Sequence, residues 1–142
     1  MLDDLIIAQK ALAERGANIV VARGGMVLFT GWSKGLRDLA KIALESPEIL
    51  DGSSVADRIV GKAAAIIFAV NGVEAVYAPT LSRHALDVLE KSGIKFHYEK
   101  LVPHIEAHGG GICPFERLIM DIADRDEAYR RLIERFKELG WG

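Results

Sequence analysis

The chain has 142 residues, 50% of them hydrophobic and 27% charged, which fits a single domain, residues 1–142, with its own core. A net charge of −2 argues against a general nucleic-acid surface, so no nucleic-acid partner is expected. A single cysteine excludes an intramolecular disulfide and a Cys-based zinc cage, and suits a reducing cytoplasm, the expected location.

The N-terminus "MLDDLIIAQKALAERG" opens with acids and has the spacing of a helix, not of a secretory signal. Leu2, Leu5, Ile6, Gln9 and Leu12 share a face, Asp3 and Asp4 favour the helix start, and Gly16 ends it. In "NIVVARGGMVLFTG", two β-prone runs flank Gly24-Gly25, the signature of a tight hairpin. Ser33 is placed to cap a helix over "KGLRDLAKIALES", which Pro47 ends. "PEILDGSSVADRIV" reads as a loop-rich connection with at most a short helical turn. "GKAAAIIFAVNG" reads as a buried helix stopping at Asn71-Gly72, and "VEAVYA" as a short strand. Asn71, Glu74, Lys62 and two glycines make this most apolar region a poor membrane span, so no membrane partner is expected.

Ser82 is placed to cap "RHALDVLEKSG", and "IKFHYEKLV" alternates as a strand. "PHIEAHGGG" is a loop. "CPFERLIMDIADRDEAYRRLIERFKEL" holds one or two helices, with Pro114 in the first turn of one and Asp124 capping the next. An antiparallel hairpin followed by a strand–helix–strand unit gives a mixed sheet with helices on both faces, an α/β/α sandwich.

Ligands in such sheets gather at strand carboxyl ends and helix N-termini. Three helix starts therefore carry the candidate site residues. At the first, Lys62 opens an apolar helix where a cation opposes the dipole. Either its amine reaches water over a packed stem, or it binds phosphate or carboxylate, with Gly61 admitting the ligand and Asp57 as ion-pair partner. At the second, Ser82 and Arg83 can meet an anion. His84 and Asp87 share a helix face, a weak candidate pair for a metal, though capping and solvated surface are the favoured roles. At the third, "HGGGICPFERL", Cys113 at a helix start has the position of an activated thiol, with Glu116 three residues on as proton carrier or cap. A free cysteine is more often a small core residue, a reading of Cys113 that the glycines offset only in part, and His104 and His108 read as solvent-facing loop residues.

The runs "VVARGGMVLFTG", "ADRIVGKAAAIIFAVNGVEAVYAPTLSRHALDVLEKSGIKFHYEKLVPHI" and "GICPFERL" resemble the small prokaryotic family called domain of unknown function 1893. The motifs "VGKAAA", "YEKLVP" and "CPFE" carry the likeness, which extends from about the first strand through Glu116. The resemblance implies a cytidine-deaminase-like fold, with an added helix and loop at about Ser33 to Val60. Zinc deaminases place H-x-E on the second helix and P-C-x-x-C at the next helix start. Matched to that pattern, Lys62 stands at the histidine, Ala64 at the glutamate, and His84 and Asp87 at the two cysteines. An ammonium has no lone pair for Zn²⁺, and no acid lies between Arg58 and Asn71 to replace the glutamate. The resemblance therefore implies a diverged domain that is not a zinc-dependent deaminase, with no cofactor expected.

Three functions are weighed. The first is a metal-free domain binding an anionic small molecule such as a nucleotide, through Lys62, Gly61, Ser82 and Arg83. The second is an enzyme of other chemistry with Cys113 or Lys62 as nucleophile and Asp57 or Glu116 in proton transfer. The third is an interaction or regulatory module, a homodimer included, using the amphipathic helix that ends in Trp141.

Overall fold

The computed structural model describes residues 2–107 and 110–141. Helix α1 (Leu2–Glu14) leads into strands β1 (Ile19–Arg23) and β2 (Met26–Gly31), then α2 (Arg37–Glu45) and a 3₁₀ turn at Pro47–Ile49. Strands β3 (Ser54–Asp57) and β4 (Ile59–Val60) precede α3 (Lys62–Val70), β5 (Ala75–Ser82), α4 (Arg83–Lys91), β6 (Lys95–Val102), α5 (Pro114–Ile119) and α6 (Arg125–Glu138).

Strand β1 lies between β2 and β3, antiparallel to both, and β5 runs parallel to β3, β4 and β6. Ala75 pairs with Ser54 on one edge and Lys95 on the other, while Leu81 pairs with Val60 and Leu101. So β3 and β4 follow one another along a single edge of β5, opposite β6, with the break at Arg58. The expected mixed sheet with helices on both faces is the architecture found. The connection "PEILDGSSVADRIV" is corrected. Beyond its 3₁₀ turn it supplies the central strand line, because β1 on one edge and β5 on the other pair its backbone.

The hairpin turn is held from outside. Gly24 and Gly25 have φ of 63° and 82°, as a type I′ turn requires. Their N–H groups donate to the buried carboxylate of Asp4 at 3.1 and 2.8 Å, which pins the turn to α1. Helix α1 covers one face of the sheet, where Ala8, Ala11 and Leu12 meet Val20, Ala22 and Ala56. The other face carries the larger core, with Val21, Val55 and Val76 packed under α2, α3 and α4. Residues Ala63 to Phe68 of α3 are all buried, and the three alanines let the helix lie close to the sheet.

The expected cap of α2 by Ser33 is not made. That helix starts only at Arg37, and Ser33 donates its N–H to Asp38 Oδ2 at 2.9 Å. Ser82 caps α4 as expected, accepting from Ala85 N at 3.1 Å, and Asp124 caps α6.

Candidate functional site

Where β3 and β4 end, the sheet opens into a cleft of about 730 Å³. Its position, at the carboxyl ends of parallel strands, is the one such sheets use for ligands. Asp57, Ile59, Gly61 and Ala64 come from the strand line and the start of α3, and Lys34 to Leu36 from the segment entering α2. Asn18, Arg58, Ile105 to Ala107, Cys113 to Glu116, and Trp141 complete the lining. Ile59 is 56% exposed there, an apolar side chain on β4 whose outward face the fold leaves uncovered.

Asp57 is the titratable group that stands out. Burial pushes its carboxyl up from 3.8 to about 8, a hydrogen bond from the Ile59 N–H pulls it partly back, and the neighbouring Asp38 carboxylate raises it again. Its surroundings thus favour the neutral form over the carboxylate. Its expected ion pair with Lys62 does not form.

Lys62 is held elsewhere. Its Nζ donates to the carbonyls of Ile119 and Ile122, each at 3.0 Å, and to that of Met120 at 3.4 Å. These carbonyls stand at the C-terminal end of α5, where a cation complements the dipole. Lys62 does not line the cleft, so the expected ligand contact is corrected to an internal one.

The N-terminus of α3 is likewise filled from within. Glu116, 7% exposed, accepts the N–H of Lys62 at 2.7 Å and of Ala63 at 2.8 Å, one on each carboxylate oxygen. Gly61, the N-cap residue, has no side chain to do this. A Cβ at Gly61 would lie 2.5 Å from Glu116 Oε1 and 2.8 Å from Ile105 Cγ1, so glycine is what admits the carboxylate. Glu116 thus caps α3 rather than its own helix, and Lys62 of α3 caps α5 in return.

Of the other expected residues, Cys113 lines the cleft, half-buried, at the start of α5. Ser82, Arg83, His84 and Asp87 do not. Ser82 is buried as a cap, and the other three are exposed on α4. His104 is exposed, and His108 lies outside the described residues. No group of three or more His, Cys, Asp or Glu side chains suited to a metal occurs among the described residues. Trp141, just beyond the amphipathic helix α6, is packed inward, with its ring 5.9 Å from Phe136 and 5.2 Å from Phe115. Sequence reasoning missed Ile59, Phe115 and Lys34 as lining residues. Only the alternation of apolar Ile59 with charged Arg58 hinted at a strand there.

Known proteins place the chain in a family. The family model described as Domain of unknown function (DUF1893) matches residues 7–136. The crystal structure of a DUF1893 family protein from Thermotoga maritima is 26% identical, with a TM-score of 0.87, covering 96% of this chain and 92% of that one. The dCMP deaminase of cyanophage S-TIM5 in apo form is 21% identical with a TM-score of 0.47, covering 70% of this chain and 94% of that one. Its structure with dCMP and dUMP is 22% identical at 0.45, covering 66% and 92%. The curated proteins give no significant match, and no helix among the described residues is long and apolar enough to cross a membrane. By the match over residues 7–136, the chain belongs to the DUF1893 family.

Proposed function

We propose that this chain is a small-molecule-binding domain and that the cleft at the end of β3 and β4 is its ligand site. The observation that carries this reading is a cleft at the strand ends, lined by Ile59, Phe115 and Ile105, with the carboxyl of Asp57, pushed up to about 8, on its wall. Apolar walls with a few convergent polar groups suit a small ring-bearing molecule. A neutral carboxylic acid there donates one hydrogen bond and accepts another. The ligand group facing Asp57 is accordingly uncharged, since Asp38 already disfavours further negative charge. The anionic part expected from the sequence does not fall to Lys62 or Arg83, one turned to carbonyls and the other on α4.

The test is a thermal-shift screen with nucleobases, nucleosides, nucleotides and other phosphorylated metabolites, repeated on Ile59→Glu. A stabilising compound whose effect disappears in the variant supports the reading. A screen with no shift, or a shift that survives the variant, removes it.

A second reading, an enzyme with Cys113 as nucleophile and Asp57 in proton transfer, is favoured by their presence in one cleft. Alkylation of native protein against pH decides it, since a Cys113 that reacts only after unfolding rules the nucleophile out. A partner role, the homodimer included, is carried by the exposed Met26 and Trp32 rather than by Trp141. Light scattering on the eluted protein tests it, and a strict monomer at all concentrations removes it.

A further inference from the structure

A second, smaller pocket of about 240 Å³ adjoins the cleft. Ser33, Arg37, Asp38, Lys41 and Trp141 line it, and Trp141 lines the cleft as well. Arg37 and Lys41 are four apart on α2 and so project from one helix face. The Arg37 guanidinium stands 5.3 Å from the centre of the Trp141 ring, a cation–π contact that uses none of its N–H donors. Neither Arg37 nor Lys41 makes a hydrogen bond or ion pair among the described residues, and neither does Lys34, which lines the cleft just before α2. The Asp38 carboxylate is engaged by the Ser33 N–H at 2.9 Å. With two cations against one carboxylate, the pocket keeps a net charge of +1.

Resting on the reading of the cleft as a ligand site, we propose that this pocket is its anion subsite. The ligand is then an aromatic molecule bearing a phosphate, carboxylate or sulfonate group. Its ring lies in the cleft beside Ile59 and Phe115, and its anion passes Trp141 to reach Arg37 and Lys41. Two kinds of observation support this. Unpaired cations cluster on one side of the cleft, and one indole borders both cavities. An arginine with all its N–H donors free beside a pocket is suited to bidentate recognition of an oxyanion. The charge expected of the ligand is thus retained, but on α2 rather than at the starts of α3 and α4.

A matched pair of fluorescent probes tests this in the intact protein. 1-Anilinonaphthalene-8-sulfonate and N-phenyl-1-naphthylamine share one aromatic skeleton and differ by the sulfonate. The Arg37→Gln/Lys41→Gln double variant, altered only at exposed positions, is expected to weaken the sulfonate probe about tenfold, as loss of a charge-assisted hydrogen bond does. It is expected to leave the neutral probe within about twofold. Lys41→Gln alone leaves the Arg37–Trp141 contact in place and is expected to weaken the sulfonate probe by about threefold. Added salt should weaken the sulfonate probe and not the neutral one. Equal loss of both probes, or of neither, overturns the anion subsite. Failure of the cleft reading looks different: the neutral probe then fails to bind, or binds Ile59→Glu as well as the parent.

Discussion

Replacing Glu116 by glutamine keeps the shape of the side chain but removes its charge and turns one acceptor into a donor. In the native protein its two oxygens accept the N–H groups of Lys62 and Ala63 at 2.7 and 2.8 Å. The amide oxygen of the introduced glutamine can satisfy one of them. Its NH₂ then faces the other N–H, donor against donor. The loss is one charge-assisted hydrogen bond, about 1.5–3 kcal/mol, plus the favourable charge at a helix N-terminus, about 0.3–1 kcal/mol. A total of about 2–4 kcal/mol corresponds to a fall in Tm of roughly 10 °C for a domain of this size. Urea and thermal unfolding followed by circular dichroism measure it, with an unchanged m-value showing that the unfolded state is the same. Amide exchange adds a local readout, because the Lys62 and Ala63 N–H groups should exchange faster. Gly61→Ala should share the effect, since its Cβ occupies the space of the carboxylate, and the double variant should lose less than the sum. A Glu116→Gln protein within about 0.5 kcal/mol of the parent, with unchanged exchange at Lys62, would refute the capping role.

Three further outcomes are expected. Asp57 has a folded value of about 8 against 3.8 unfolded, so between those limits the folded state binds more protons and stability falls as pH rises. Asp57→Asn should flatten that slope between pH 4 and 8, by up to about 1.4 kcal/mol per pH unit, in unfolding measured across pH. An Asp57→Asn variant with the same slope as the parent contradicts the raised value of this acid. Lys62→Met should lower stability by about 1–3 kcal/mol through the carbonyls at the end of α5, and leave binding in the cleft unchanged. Cys113 should react with iodoacetamide in the native protein, and a cleft ligand should slow the reaction, which mass spectrometry follows with time.

Much of the fold is legible from local pattern. The hairpin follows from Gly24-Gly25, the buried helix from its alanines, and the parallel β5–α4–β6 unit from a cap, a period and a stop. The central strand line is not. Val55 and Ala56 are a short apolar core between Ser53, Ser54, Asp57 and Arg58, and only pairing to β1 and β5 makes an extended segment of them. The site divides the same way. Cys113, Asp57, Gly61 and Glu116 were recognisable by residue type, and all four line the cleft. What Glu116 does was not recognisable, because its partners lie more than fifty residues away. One clue was present in Lys62, a cation at the start of an apolar helix, which calls for an acid from elsewhere in the chain. The same clue read as a ligand site pointed to Lys62 itself, whereas its amine serves α5.

The most direct test of a ligand site at the end of β3 and β4 is a map of amide chemical-shift changes on titration with N-phenyl-1-naphthylamine. The expected result is a contiguous set at Asp57, Ile59, Cys113, Phe115 and Trp141, with none at Arg83, His84 and Asp87 on α4. Changes centred on α4, or scattered without focus on the cleft, would contradict it.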